Sequence, residues 1–258
     1  MSGPIVIRDL YKKYSDNYAL NGLNLTIDTG QIYGILGPNG SGKTTLLRIL
    51  CSLLEMTSGY VRLGELNPVE DSEKIKSMVG YVPETPALYE SLTPLEYFSF
   101  VCSVRGIRED VMERRVRNLV EAFGISDKVD DFIGSLSFGT KQKVAIISAI
   151  IHDPNYLILD EGMNGLDPRS AKILKDLLQD FASHGKTVIF STHILEVAES
   201  VCNRISILFN GKIVIEGTME DMRLEMGQKQ SNLEDIFLKL TGDEDLKPVI
   251  ETLKRTLR

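Results

Sequence analysis

Cysteine, histidine, basic charge and long apolar runs are all scarce in this chain of 258 residues, and each shortage excludes a class of protein. Three cysteines occur, Cys51, Cys102 and Cys202, far apart and without a CxxC pair, too few for a disulfide framework. They read as reduced cytosolic residues, buried or partly buried. The three histidines form no zinc-type cluster with them. No apolar run approaches the ~20 residues that a membrane-spanning helix needs, and Met1 to Leu10 lack a secretory signal pattern. The chain is therefore expected not to cross a bilayer itself. Lys and Arg total 29 against 36 Asp and Glu, a net charge of −7 with a pI near 5.2. That balance argues against nucleic acid as a partner. Long-period repeats, heptads and low-complexity linkers are missing too. What is present is ordinary: 43% hydrophobic and 25% charged residues, in a length that supports one sizeable core or a core with an appended lobe.

The apolar run from Ile32 to Leu36 enters Gly37-Pro38-Asn39-Gly40-Ser41-Gly42-Lys43-Thr44-Thr45, and Leu46 to Leu50 follow. Strand, glycine loop and helix in that order fit GxxxxGK[ST], a place to hold the phosphates of a nucleotide. Glycines let the loop turn its N–H groups inward around a β-phosphate, and a helix starting near Lys43 adds the positive end of its dipole. Lys43 is expected to reach the β and γ oxygens, and Thr44 to offer a hydroxyl to Mg²⁺. Downstream, Tyr156-Leu157-Ile158-Leu159 reads as a buried parallel strand ending in Asp160 and Glu161, at the edge where open α/β sheets place their chemistry. Asp160 is the expected Mg²⁺ partner. Glu161 suits a general base for the attacking water.

Leu136-Ser137-Phe138-Gly139-Thr140-Lys141-Gln142-Lys143 precedes an apolar helical run from Val144 to Ile151. With this segment the chain resembles the ATP-binding cassette (ABC) family over nearly its whole length, with the family's landmarks in order. The resemblance implies that Ser137 and Gly139, at a helix N-terminus, contact the γ-phosphate of ATP bound on an opposing subunit. A helix start suits that task because its unpaired N–H groups and dipole attract anions. The commoner family form is LSGGQ, from which Phe138 and Thr140 depart. Phe138 has a second reading as packing against neighbouring helices, and Thr140 as part of the helix cap.

The same resemblance assigns the remaining landmarks. His193, after the strand Thr187 to Ser191, would touch the γ-phosphate and hold the water and Glu161 in line. Asp167, in Gly162-Met163-Asn164-Gly165-Leu166-Asp167-Pro168, would lie at the subunit interface and couple two ATP sites, although an Asp before Pro is also an ordinary helix entry. Gly162 and Met163 replace the usual Pro-Thr. Tyr14 stands where an aromatic stacks on adenine, with Tyr11 and Tyr18 as neighbouring competitors. Glu84 replaces a glutamine that reaches Mg²⁺; its carboxylate can bind a hard cation, or face solvent until a partner docks.

The coarse layout is β-rich from Pro4 to Ile35, a phosphate-loop helix to about Leu54, and strands at Gly59 to Leu63 and Met78 to Val82. Helices are expected at Leu95 to Val104, Glu109 to Phe123 and Gly139 to Ile151, with Thr93 as a cap. Strand and helix alternate from Tyr156 to Ser200, which implies a parallel sheet with right-handed crossovers, and Asn210-Gly211 marks a hairpin. The expected fold is therefore α/β. The resemblance adds a P-loop NTPase (RecA-like) core with an antiparallel β subdomain at 1–84 and 151–220, a helical signature subdomain at 85–150, and a helical tail at 221–258 that carries Lys254 and Arg255. It implies an ATPase subunit using ATP and Mg²⁺, paired with a second ABC subunit and an integral-membrane permease on the cytoplasmic side of a membrane. Leu233 to Thr241 look like the tail of bacterial export-type subunits, or alternatively an amphipathic helix that closes the domain. The rivals are a soluble ABC ATPase that remodels a macromolecular complex, and a regulatory module that hardly hydrolyses.

Overall fold

A computed structural model of the chain describes residues 3–225 and 233–241. In chain order it runs β1 (Ile5–Tyr14), β2 (Asn17–Ile27), β3 (Ile32–Leu36), α1 (Lys43–Leu50), β4 (Ser58–Leu63), α2 (Ser72–Met78) and β5 (Val79–Val82). Then come α3 (Pro94–Val104), α4 (Glu109–Ala122), α5 (Phe138–Ile150), β6 (Tyr156–Asp160), α6 (Pro168–Ser183), β7 (Thr187–Thr192) and α7 (Leu195–Val201). The last elements are β8 (Arg204–Phe209), β9 (Lys212–Gly217), α8 (Met219–Glu225) and α9 (Leu233–Thr241). The phosphate-loop helix stops at Leu50 rather than near Leu54, because Ser52 turns the chain with a φ of +55°. Met78 ends α2, a helix absent from the expected layout, and does not open β5. Among the tail residues, Ser231, Asn232, Lys254 and Arg255 lie outside the described residues.

Among the described residues two sheets form. β2, β1 and β4 make an antiparallel sheet in that order. The larger sheet has the order β5-β6-β7-β3-β8-β9, parallel except for the β8–β9 hairpin, whose turn residues Asn210 and Gly211 both take positive φ as that tight turn requires. Every residue of β3, β6 and β7 is buried, and their central residues are apolar, with helices and the second sheet covering the two faces. Tyr33, Leu46 and Ile158 pack on the face shared with α1 and the antiparallel sheet, whereas Leu157, Phe190 and Ile146 pack on the face covered by α5 and α6. Register sets the site. Leu36 pairs with Thr192 and Asp160 with Ser191, so the strand ends that precede the phosphate loop, the carboxylates and His193 finish at one level.

Helices α3 to α5 form a lobe on the far side of β5. Thr93 and Glu96 make a reciprocal capping box at the start of α3, the Thr93 Oγ1 accepting from the Glu96 N–H at 3.2 Å and Glu96 accepting from the Thr93 N–H at 2.8 Å. Two arginines bolt the lobe to the core. Arg105, at the end of α3, donates to the carbonyls of Lys76 and Val79, and Arg115 of α4 donates to the Ile151 carbonyl at 2.6 Å. Between them His152 donates from Nε2 to the Val79 carbonyl at 3.2 Å, while its Nδ1 is buried without a partner.

Burial, reinforced by the Arg105 and Arg115 charges and opposed by the Val79 contact and Asp153, lowers the His152 pKa from 6.5 to about 4. Between those values the unfolded chain binds the proton and the folded chain does not, so the His152 contribution is complete above about pH 6.5 and is lost as pH falls towards 4. Urea unfolding at pH 7 and pH 5 should therefore show a drop in stability, of which about 1–2 kcal/mol disappears in His152→Gln. An identical pH dependence in that variant would remove His152 as its source.

Candidate active site

The turn from β3 into α1 is made by residues 37–42. Gly42 has a φ of +110°, and a Cβ there would stand 2.5 Å from the Ala19 carbonyl oxygen, so only glycine lets β2 close over the loop. No side chain caps α1, which leaves its first N–H groups to the cleft that the loop borders. Lys43 is buried, and its Nζ donates to the carbonyls of Gly37 at 2.8 Å and Pro38 at 3.2 Å. Burial lowers the Lys43 pKa from its ordinary value, against the raising influence of Glu161, Asp160 and Glu84. The cleft has a volume of about 240 Å³ and is lined by Asn39, Lys43, Thr44, Glu84, Asp160 and Glu161, among others. Phosphate loop, carboxylate pair and Glu84, far apart in sequence, thus face one space.

Asp160 and Glu161 are consecutive carboxylates with exposures of 1% and 4%. The Ser191 hydroxyl donates to Asp160 Oδ1 at 2.7 Å, while Asp160 Oδ2 is buried with no protein partner. Glu161 takes a φ of +53°, a left-handed conformation that costs a non-glycine residue about 1 kcal/mol. Its N–H is held by the Ser191 carbonyl at 3.1 Å and the Ser191 Oγ at 3.2 Å. His193 completes the group, with Nδ1 at 3.0 Å and its backbone N at 3.4 Å from Glu161 Oε2. An ionised carboxylate only accepts, so the imidazole proton sits on Nδ1. In the sequence Ser191 stands out only as a strand end. Its signal is a hydroxyl in a central strand directly after the apolar run Val188 to Phe190, since a buried polar side chain there needs a polar partner.

In the signature segment Ser137 caps α5 by accepting the Thr140 N–H at 3.3 Å, with the two hydroxyls 3.0 Å apart. Thr140 is therefore part of the cap. Phe138 is 47% exposed and packs on a loop rather than on a helix: a Cβ at Gly165 would meet its ring at 2.6 Å. Gly139 approaches the same residue so closely that its own Cβ would lie 2.5 Å from the Gly165 carbonyl oxygen. Two further contacts tie α5 to this loop. Gln142, fully buried, donates to the Gly162 carbonyl at 3.1 Å, and Lys143 pairs with Asp167 at 2.6 Å. Asp167 also caps α6, accepting from the Ser170 N–H and Oγ, each at 2.9 Å. The Lys143 hydrogen bond and the Ser170 donors hold its carboxyl well below the usual carboxylate range. Tyr14 is 48% exposed at the end of β1, with the Lys12 ammonium 5.0 Å from its ring centre, and Ala19 rather than Tyr14 lines the cleft.

A loop that offers helix-start N–H groups and a lysine opposite a buried strand-end carboxylate pair is the architecture of a P-loop nucleoside triphosphatase. The model of the ABC transporter family matches residues 20–164, and the chain belongs to that family. It is an ABC transporter ATP-binding subunit and an ATPase. Over 238 residues it is 34% identical to the ABC-type transporter ATP-binding protein EcsA of Bacillus subtilis (strain 168), across 92% of this chain and 96% of that protein. Among solved structures, the ATP binding subunit of an ABC transporter superposes with a TM-score of 0.87 at 30% identity, covering 92% of this chain and 98% of the other. A dimeric, post-hydrolysis form of the ATP-binding cassette MJ0796, bound to ADP and Pi, gives a TM-score of 0.78 at 26% identity, over 83% of this chain and 98% of that one.

The amide variant tests the expected role of Glu161 as general base. Glu161→Gln, which keeps size and burial, should lower ATP turnover by ~10² or more while fluorescent-nucleotide titration shows unchanged binding. Turnover within a few-fold of the parent would remove Glu161 from the proton-transfer role.

Proposed function

We propose that the chain drives an export-type ABC transporter from the cytoplasmic face of a membrane, working as a pair of cassettes that close around ATP. The observation that carries this reading is an incomplete site: residues 136–140 do not line the chain's own cleft, and Ser137 and Phe138 instead stand exposed at the start of α5. A second copy, or a similar cassette, would bring its Ser137 and Gly139 to the γ-phosphate. Tyr14 would stack on adenine, and residues 37–45 would wrap the phosphates.

On this reading Glu161 takes a proton from the attacking water, and His193, held by Glu161, keeps base and water in line. With its Nδ1 proton committed to Glu161, His193 can donate from Nε2 to phosphate only as an imidazolium. The residues present fit Mg²⁺. Asp160 Oδ2 is a buried oxygen without a partner, Thr44 supplies a hydroxyl, and Glu84 lines the same cleft. When bound, the ion would neutralise charge on the β- and γ-phosphates. Asp167 already has three partners in its own chain, so its proposed part at the interface is to fix the loop from residue 162 to 167 rather than to offer a free carboxylate.

A groove of about 450 Å³ lies between core and helical lobe, lined by Arg48, Leu53, Tyr81, Pro83, Leu88 and Tyr97. Its mixture of apolar surface with a cation suits a helix from an integral-membrane permease, which would receive the movement of the lobe. Residues 85–150 then act as the moving lobe, residues 1–84 and 151–220 as the ATP core, and the stretch from 221 onward as the tail. Ser137→Arg places a cation and bulk at the trans contact. Light scattering on the Glu161→Gln background should show ATP-driven dimers for the parent signature and monomers for Ser137→Arg, with ATP binding to the monomer retained. Equal dimerisation of the two would remove the trans contact.

A further inference from the structure

The described part of the tail reaches the catalytic machinery from behind. Helix α9 buries Leu233 and Ile236 in a cluster with Ala198 of α7, Ile207 of β8 and Met222 of α8. Leu36, the last residue before the phosphate loop, belongs to the same cluster. Phe237 and Leu240 of α9 and Leu195 of α7 pack against its margin. Helix α7 begins at Leu195, two residues after His193, and is only seven residues long. A helix so short is marginal without tertiary support, so its position depends on what packs against it.

The polar surface points to the same linkage. A cleft of about 310 Å³ is lined by His193, Leu195, Glu196 and Glu199 from the α7 segment and by Glu234 from α9. Glu199 is paired with Arg223 of α8 at 3.1 Å, and Glu234 brings α9 to the same cleft. His193 therefore stands between two groups, Glu161 on the cleft side and the α7–α9 contact on the other. Its imidazole is 55% exposed, so burial does not fix it. What holds it are the two bonds to Glu161 and the anchoring of the helix that follows.

We infer that α9 is a positioning element for His193: by packing on α7 it sets the height of the histidine against Glu161, and so controls the rate of hydrolysis without controlling ATP affinity. Ile236 is the central positioning residue, because it is fully buried in the cluster that joins the two helices. The inference rests on the reading that His193 takes part in hydrolysis. It makes the tail a control point, since anything that lifts α9 slows turnover while nucleotide stays bound.

A double-mutant cycle on the full-length chain tests this, with kcat, KM and nucleotide Kd measured for the parent, Ile236→Ala, His193→Ala and the pair. Ile236→Ala should lower kcat about 5–10-fold with Kd changed less than about twofold, and should cause no further loss in the His193→Ala background. The same fold-loss in both backgrounds would overturn the inference while leaving the role of His193 intact. Undiminished turnover in His193→Ala would overturn both. Should Ile236→Ala prove too unstable to purify, Ile236→Val and the peripheral Leu240→Ala carry the same cycle at smaller amplitude, and additivity in those would be equally decisive against it.

Discussion

Two adjacent carboxylates, Asp160 and Glu161, are almost wholly removed from water at the end of a central strand, and much of the surrounding structure answers the cost of putting them there. An unpaired buried charge is penalised by several kcal/mol, and a neighbouring like charge adds to that. Three things offset it. Lys43 approaches from the phosphate loop, held by the carbonyls of Gly37 and Pro38. Ser191 donates its hydroxyl to Asp160 and uses its oxygens to hold the Glu161 N–H. His193 binds the Glu161 carboxylate from above. Among the described residues Asp160 Oδ2 keeps no protein partner, and an oxygen left so is suited to a hard cation.

The parallel register of β3, β6 and β7 makes this possible. Because Leu36, Asp160 and Thr192 end level, three loops distant in sequence open on the same edge. A shift of one residue in any of these strands would exchange the two faces of the sheet and bury the wrong side chains. The apolar centres of these strands lack alternation to set their register, so it is fixed by the packed helices and by polar contacts at the strand ends such as Ser191 with Asp160.

A second network links Glu161 to α5 within one chain. Glu161 opens a loop whose Gly162, Gly165 and Asp167 are each gripped by α5, through Gln142, through Phe138 with Gly139, and through Lys143. The departure from glycine at position 138 has a structural account here, since the phenyl ring lies over Gly165 and adds apolar contact at this joint. Any displacement of α5 would therefore be felt at Gly162, the residue next to Glu161. The tail helix packs against α7 on the opposite flank, beyond His193.

Local chemistry made much of this legible in advance. Gly37 to Thr45 need only a strand, a turn and a helix start, and Asp160 with Glu161 need only a strand end, so spacing along the chain was enough for both. Thr93 as a cap and Asn210-Gly211 as a hairpin turn are likewise decided by neighbouring residues. The α/β class followed from strand and helix alternation between Tyr156 and Ser200. Ser191, Gln142 and Lys143 were not legible as partners, because their importance lies in contacts made across 31, 20 and 24 residues of chain to Asp160, Gly162 and Asp167. Nor could sequence say that Phe138 packs on a loop, or that α9 closes behind His193. A sequence fixes which groups can donate, accept or bury; which of them meet is settled only when the sheet register and the helix packing bring distant segments within a few ångströms.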